Sequence, residues 1–285
     1  MTGPARNHPV IGPVDPGQQL PRRRSFDRDP HGYDRARPPY PPEVFDILAA
    51  EFGLGPGCRV LEIGPGSGQA TAELLARGAE VVAVEPGRGL ASVLAGRLPD
   101  GRLPDGRLRI VPADFEHAAV PPGPYHLVVS ATAFHWLDLT VALPKIARLV
   151  SDRGGLAVWW TVFGDPERRT AFRSAVDQLY ARWLPGERRG PGHVPGPLRV
   201  ESWSAELRRG GLFGPVSVDL IRWTHRLTPT GARLLWGSFP NVNELPPAAR
   251  EIFLDSIADL VDRHGGVVDD PYVTSVYRTR PVPRR

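Results

Sequence analysis

Three glycines at alternate positions follow a short apolar run in the first quarter of the chain. The run at 59–63 leads into Gly64, Gly66 and Gly68, and a second apolar run ends at Glu85. Glycine lets a backbone approach a ligand closely, and the free amides at the start of a helix attract an anion. A carboxylate can accept hydrogen bonds from both hydroxyls of a ribose ring. These residue types in this order indicate a site for a nucleoside-containing cofactor.

The spacing of the glycines separates two classes of such cofactors. A dinucleotide-binding turn carries glycine or alanine at the sixth position of its motif. Counted from Gly64, the sixth position is Gln69. The spacing therefore disfavours a nicotinamide-dependent oxidoreductase. Such an enzyme stays open as an alternative, because its cofactor domain is also built of alternating strands and helices.

Apolar runs alternate with helical stretches around this motif. Strands are predicted at 59–63, 80–84, 108–111, 125–129, 156–162, 216–223 and 272–277. Helices are predicted at 42–52, after Gly68, around Leu90, at 141–150, at 165–184 and at 247–264, with a loop at 185–199. Strands separated by helices indicate βαβ units and a parallel sheet with right-handed crossovers.

The glycine motif also resembles a known family. The pattern Glu-x-Gly-x-Gly-x-Gly at 62–68 resembles motif I of the class I S-adenosylmethionine-dependent methyltransferases. The resemblance extends to the acid after the second strand, to Ala-Asp-Phe at 113–115 and to the segment 130–136. The segment 33–41 and the closing helix, glycine pair and strand look like the small-molecule branch. That branch is methyltransferase type 11, related to trans-aconitate, ubiquinone and menaquinone methyltransferases.

The resemblance implies a fold and a division of the chain. The fold would be α/β, with a doubly wound, seven-stranded, mostly parallel Rossmann-like sheet containing one antiparallel strand. Residues 33–285 would form the methyltransferase domain, and residues 163–212 a partly helical substrate-cap insertion. Residues 1–32, rich in proline and arginine, would be a mobile N-terminal lead.

The resemblance further implies S-adenosyl-L-methionine as the cofactor. The three glycines would line its methionine and ribose parts, with Glu62 organising the loop. Glu85, followed by Pro86, would hold the ribose hydroxyls. Asp114 would accept a hydrogen bond from the adenine amino group, with Phe115 beside the ring. Asp114 has a structural alternative, since aspartate is also a common helix N-cap.

Four more residues are implied as cofactor contacts. Tyr33 and Arg37 would close over the methionine end, with Arg37 facing its carboxylate. Ser130 and Ala131 would contribute where the fourth strand ends. Tyr33 and Arg37 have an alternative as tail residues that rest on the surface.

Chemistry at the methyl group points to the residues after the fourth strand. His135 is the best-placed general base for a hydroxyl or acidic-carbon acceptor, because imidazole titrates near neutral pH. The alternative is a structural histidine bonded to backbone. Phe134 and Trp136 either face the sulfonium or pack the next helix. Aromatic residues around the fifth strand and the insertion predict an apolar or aromatic small-molecule acceptor. A non-catalytic cofactor-binding protein of the same fold is a further alternative.

Composition excludes several classes of function. The chain has 285 residues, 41% of them hydrophobic, and a net charge of +4, so it can form a large core. The densest basic cluster, at 22–24, lies in the lead, so no nucleic-acid partner is expected. No apolar stretch is long enough to span a bilayer, no signal peptide is evident, and the single cysteine fits a reducing compartment. We therefore expect a cytoplasmic protein without a membrane partner. We also expect no bound metal, since no histidine and cysteine residues have zinc spacing.

A short tandem duplication is the last feature of the sequence. Gly-Arg-Leu-Pro-Asp occurs at 96–100 and again at 101–105. Loop lengthening costs little because closure entropy grows only with the logarithm of length. The duplication is interpreted as a surface loop.

Overall fold

The computed structural model describes residues 26–97, 106–187 and 193–283. Most of the predicted lead, the duplicated segment beyond Arg97 and part of the predicted loop at 185–199 lie outside the described residues. No described helix combines the length and apolar character that a membrane span requires.

Seven strands form one sheet. They are β1 (Arg59–Ile63), β2 (Glu80–Val84), β3 (Leu108–Val111), β4 (Tyr125–Ala131), β5 (Val150–Phe163), β6 (Ser217–Leu227) and β7 (Val268–Thr279). Their order is β3-β2-β1-β4-β5-β7-β6. All neighbouring pairs are parallel except the two that include β7. The predicted mostly parallel sheet with one antiparallel strand is confirmed.

Ten α-helices flank the sheet in the described residues. They are α1 (Pro30–Ala36), α2 (Pro42–Phe52), α3 (Gln69–Ala76), α4 (Arg88–Gly96), α5 (Leu139–Leu149), α6 (Ala171–Trp183), α7 (Val200–Arg208), α8 (Pro229–Gly237), α9 (Pro240–Asn243) and α10 (Pro247–Arg263). Short 3-10 turns at Phe26–Arg28 and Phe134–Trp136 lie beside the site described below.

The central strands β1, β4 and β5 form because their apolar residues are covered on both faces. Helices α2, α3 and α4 cover one face, through residues such as Leu48, Leu74 and Leu94. Helices α5 and α7 cover the other, through residues such as Ile146 and Trp203. Near-continuous apolar runs are typical of strands buried in this way.

A crevice opens where the strand order reverses. Strand β1 pairs with β2 on one side and with β4 on the other. The connections that leave β1 and β4 therefore run to opposite faces of the sheet. In open α/β sheets, ligands bind at such a switch point, beyond the carboxyl ends of the strands.

A third apolar cluster unites helices α6, α8 and α10, which we call the cap. It packs on the carboxyl end of β6 and the amino end of β7, where Tyr272 and Leu227 are buried. A buried ion pair joins Arg173 of α6 to Asp270 of β7. Because β7 is antiparallel, its amino end lies beside the carboxyl end of β5, so the cap borders the crevice.

The cap differs from the insertion predicted at 163–212. Only α6 comes from that range, whereas α8 and α10 follow β6. Helix α7, also in that range, packs under the sheet, where the Trp203 ring lies 4.5 Å from the Trp160 ring. Helical periodicity identifies an apolar face but does not say which surface that face will meet, so the boundaries could not be set from the pattern.

Candidate functional site

The loop between β1 and α3 has a backbone that only glycine adopts easily. Gly64, Gly66 and Gly68 have φ angles of 68°, 58° and 93°, in the left-handed region. A Cβ atom at Gly64 would lie 2.5 Å from the Cβ of Ala133, and one at Gly68 would lie 2.4 Å from Cδ1 of Leu94. The loop therefore combines positive φ angles with close approach to the connection after β4 and to α4.

Glu85 joins the ends of β1 and β2. Its Oε2 atom accepts a hydrogen bond from the Gly66 amide at 3.0 Å, and its Oε1 atom accepts one from the Gly87 amide at 2.8 Å. Its side chain is buried, with the residue 5% exposed. The structure thus brings together the two features that first indicated a nucleoside site.

Glu62 lies beneath the glycine loop and is fully buried. Its Oε2 atom accepts a hydrogen bond from the Thr71 hydroxyl at 2.6 Å, and its Oε1 atom has no hydrogen-bond partner in the described structure. Burial raises the pKa of the Glu62 carboxyl to about 7. A buried carboxylate oxygen without a donor is costly unless a ligand supplies one.

Tyr33 and Arg37, on and just after α1, reach the same loop. A Cβ atom at Gly66 would lie 3.7 Å from Cε1 of Tyr33. The Arg37 guanidinium lies 5.0 to 5.4 Å from the ring centroids of Tyr33, Phe163 and Phe239. Its Nη2 donates to the Ser238 carbonyl, whereas its buried Nε has no partner in the described structure.

Residues 26–32, predicted as part of the mobile lead, pack at this site. The Asp27 carboxylate accepts a hydrogen bond from the Leu90 amide at 2.8 Å and so caps α4. The Phe26 ring lies edge-on to Tyr33 at 5.5 Å and to Trp136 at 6.2 Å. Phe26 and Asp27 anchor this segment through residues distant in the chain, so the local sequence does not distinguish it from a proline- and arginine-rich tail.

A small cleft lies between α1, the glycine loop and the end of β5. It is lined by Tyr33, Arg37, Pro38, Tyr40, Gln69, Thr132, Thr161 and Phe163. The Tyr40 hydroxyl bonds to the Thr132 hydroxyl at 2.9 Å, and Thr132 has a φ of 58°. Tyr40, Thr132, Thr161 and Phe239 were not predicted as site residues, although Tyr40 and Thr132 lie in segments that carry the family resemblance.

The unpaired polar atoms around this cleft fit one kind of ligand. The Nε of Arg37 and the Nε2 of Gln69 are donors without partners in the described structure, and Glu62 Oε1 is an acceptor without one. A group with a carboxylate and an ammonium offers the complementary atoms, and the methionine end of the predicted cofactor is such a group. The residues present therefore fit S-adenosylmethionine.

The end of β4 contributes mainly to the framework. Ser130 is fully buried, and its hydroxyl donates to the Ile63 carbonyl at 2.9 Å, which ties β4 to β1. Ala131 is half-buried at the strand end, and Pro86 is half-buried beside Glu85. Ser130 thus holds the edge of the crevice through its side chain.

Asp114 and Phe115 are placed differently from each other. The Asp114 carbonyl accepts hydrogen bonds from the His117 and Ala118 amides, so this half-buried residue begins a single helical turn after β3. Phe115 is fully buried in the core, with the Lys145 ammonium 4.8 Å from its ring centroid. The structure does not bring the Phe115 ring to the cleft.

His135 lies in the 3-10 turn after β4 and is buried. Its Nδ1 accepts a hydrogen bond from the Trp160 indole at 3.0 Å. Burial lowers the pKa of His135 to about 3, so the ring is neutral at ordinary pH and carries its proton on Nε2. This arrangement favours a hydrogen-bond donor at Nε2 over the predicted general base.

The described ranges, 26–97, 106–187 and 193–283, contain no group of three or more histidine, cysteine, aspartate or glutamate side chains that could hold a metal ion.

Comparison with known proteins agrees with this geometry. A family profile described as a methyltransferase domain matches residues 61–158. An uncharacterized methyltransferase of Geobacillus kaustophilus is 33% identical over 164 residues, covering 55% of this chain and 70% of the relative. An uncharacterized methyltransferase of Schizosaccharomyces pombe is 27% identical over 266 residues, covering 91% and 98%.

Solved structures share the fold. A protein of Anaeromyxobacter dehalogenans assigned as a type II methyltransferase superposes with a TM-score of 0.63 at 22% identity, over 87% of this chain and 99% of that one. Phosphoethanolamine N-methyltransferase 2 of Haemonchus contortus, in complex with S-adenosyl-L-methionine, gives a TM-score of 0.52 at 15% identity, over 90% and 59%. At these identities the likeness is one of architecture.

Proposed function

Because the chain belongs to the class I S-adenosylmethionine-dependent methyltransferases, we propose that it methylates a small-molecule acceptor by in-line displacement. When bound, S-adenosylmethionine supplies the electrophilic methyl group. The protein's own task is to bind and align the two reactants and to keep water away from them.

One observation carries this proposal. The Glu85 carboxylate and the Gly66 amide lie 3.0 Å apart across the ends of β1 and β2, at the switch point of the sheet. We assign Glu85 as the residue that binds the ribose hydroxyls. The left-handed glycine backbone allows the cofactor to approach the loop closely.

The residues around the cleft are assigned to the methionine end. Arg37 and Gln69 bind its carboxylate, and Glu62 faces its ammonium. Three atoms support this assignment, because the Arg37 Nε, the Gln69 Nε2 and the Glu62 Oε1 are buried without a partner in the described structure. Tyr33 covers the loop from the side of α1.

The acceptor is assigned to the part of the cleft between Tyr40, Thr132, Thr161 and Phe163. A small concave space enclosed by single side chains suits a small molecule. Aromatic rings at Phe163 and Phe239 suit an apolar or aromatic body, and the hydroxyls of Thr132 and Thr161 suit a polar substituent.

His135 is assigned as a hydrogen-bond donor near the reacting groups. Trp160 occupies its Nδ1, so the proton on Nε2 is the one available for an oxygen or nitrogen of a ligand. The general-base role predicted from the sequence requires a free lone pair on Nε2 and stays a prediction.

The test supplies methyl-labelled S-adenosylmethionine together with either the low-molecular-weight filtrate or the macromolecular fraction of a cell extract. We expect label in a small product with the filtrate only, and none with Glu85→Gln as a matched control. Label in protein or nucleic acid would contradict the small-molecule acceptor. No product from either fraction, with cofactor binding intact, would favour a non-catalytic binding protein.

A further inference from the structure

The chain uses arginine almost everywhere that it places a positive charge. Of its 35 basic residues, Lys145 is the only lysine. Lys145 lies in the middle of α5 and is half-buried.

The Lys145 ammonium closes the helical turn after β3, residues 114–118, which we call the β3 turn. Its Nζ donates to the Phe115 carbonyl at 2.5 Å and to the Ala118 carbonyl at 2.7 Å, and lies 3.5 Å from the Glu116 carbonyl. Three backbone oxygens of one short turn thus converge on one side chain.

The Lys145 ammonium also contacts the aromatic ring of Phe115, a residue of the β3 turn. The Nζ of Lys145 lies 4.8 Å from the centroid of Phe115, whose side chain is fully buried. Phe115 directly follows Asp114, and Asp114 begins the turn by accepting from the His117 and Ala118 amides. Lys145 is therefore linked to the position of Asp114 through Phe115, because it contacts both the carbonyl and the ring of Phe115.

The geometry around the Lys145 Nζ suits an ammonium better than a guanidinium. An ammonium has three donors arranged around a compact point charge, which suits three carbonyls that converge from one turn. A guanidinium is a planar fork that suits carboxylates and phosphates, and it is larger. A cation is also favoured where the carbonyls of a helical turn end.

We propose that Lys145 is a positioning residue for cofactor recognition: it fixes the β3 turn so that Asp114 meets the exocyclic amino group of adenine. This inference rests on the proposed function and adds a residue that lies outside the cofactor site. Lys145 acts through the backbone of the turn and does not touch the cofactor.

The test is the ratio of two binding affinities, measured by calorimetry. One ligand is S-adenosylhomocysteine, and the other is S-inosylhomocysteine, which carries a carbonyl in place of the adenine amino group. The wild type is expected to prefer the amino ligand by about tenfold or more, the size of one hydrogen bond to a carboxylate. Lys145→Met and Lys145→Arg are expected to bring the ratio close to one.

The controls separate the possible failures. Arg148→Met removes an exposed positive charge from the same helix and is expected to keep the wild-type ratio. Lys145→Arg keeps the charge, so it provides a folded variant if Lys145→Met does not fold. A wild-type ratio in both Lys145 variants would overturn the inference while leaving the proposed function intact. Failure of the wild-type protein to bind either ligand would overturn both.

Discussion

His135 is the residue whose chemistry the structure defines most narrowly. It was singled out because imidazole titrates near neutral pH, but that expectation holds only for an imidazole with ordinary solvation. Here burial lowers the pKa of His135 to about 3, and Trp160 occupies Nδ1. The sequence could place His135 after β4 but could not reveal the indole, because Trp160 comes from a different strand.

The donor role predicts a distinctive pH dependence. Between about pH 5 and 8, kcat is expected to show no ionisation that belongs to His135, because the ring stays neutral throughout. His135→Gln is expected to keep more turnover than His135→Ala, since an amide N–H can replace the Nε2 proton. The measurement is kcat against pH for the three proteins. An ascending limb near pH 6 to 7 in the wild type that disappears in His135→Gln would show a base instead.

Glu62 predicts a pH dependence of stability. Its pKa is about 7 in the folded protein and 4.5 ordinarily, so between these values the folded state binds more protons than the unfolded state. The free energy of unfolding therefore falls as pH rises through this window, by up to about 3 kcal/mol, and levels off above it. Glu62→Gln removes this ionisation and is expected to flatten the dependence.

The measurement for Glu62 is urea unfolding of the wild type and Glu62→Gln without cofactor, at about pH 5 and pH 8. The variant is expected to gain stability relative to the wild type at the higher pH. If the free energy of unfolding changed equally with pH in both proteins, the pKa of Glu62 would be the same in the folded and unfolded states.

The loop between β1 and α3 is the element on which cofactor binding depends most. The sequence predicted its position because three glycines next to a strand are a strong local signal. The pattern could not show which residues pack against each glycine in space. Gly64 lies against Ala133, which is distant in the chain and comes close only through the pairing of β1 with β4.

Gly53 and Gly64 have nearly the same backbone conformation, so alanine substitutions at the two positions separate the cost of backbone strain from the cost of a steric clash. Gly53 and Gly64 have φ angles of 69° and 68°, but only at Gly64 would a Cβ atom clash, 2.5 Å from Ala133. Gly53→Ala is expected to cost about 1–2 kcal/mol of stability and to leave cofactor affinity unchanged. Gly64→Ala is expected to cost more and to weaken S-adenosylhomocysteine binding at least tenfold (about 1.4 kcal/mol). Urea unfolding and calorimetry measure the two effects, and equal losses in both variants would contradict the account.

The helices that the sequence did not predict are the short ones, α1, α7, α8 and α9. Helix α1 has seven residues and follows a proline- and arginine-rich stretch. Helices α8 and α9 are nine and four residues long. Local caps were present, since Asp29 accepts from the Gly32 amide and Thr228 accepts from the Gly231 amide. Short helices such as these depend on tertiary contacts, so periodicity alone gives little indication of them.

For the whole molecule, the sheet could be predicted and the cap could not. All seven strands were predicted, because the buried parallel strands carry continuous apolar runs and the antiparallel strands β6 and β7 carry β-branched and aromatic residues. The cap assembles α6 with α8 and α10, which are separated in the chain by α7 and β6. Its grouping depends on contacts such as the buried Arg173–Asp270 pair, which no local pattern encodes.

The whole-molecule claim is that the crevice at the switch point binds a sulfonium nucleoside and not a dinucleotide. The Gly66–Glu85 contact supports it, and the glutamine at position 69 is the feature of the sequence that distinguishes the two. Binding of a ligand to the folded state raises the free energy of unfolding, and with it the melting temperature, by an amount that grows with the logarithm of the ligand concentration divided by Kd.

The most direct test is the thermal unfolding of the wild type and Glu85→Gln with S-adenosylhomocysteine or with NAD. At a concentration about 100-fold above Kd, S-adenosylhomocysteine is expected to stabilise the wild type by about 2.7 kcal/mol, a shift of several degrees. NAD is expected to produce no shift, and Glu85→Gln is expected to lose most of the response. Stabilisation by NAD without any response to S-adenosylhomocysteine would contradict the account.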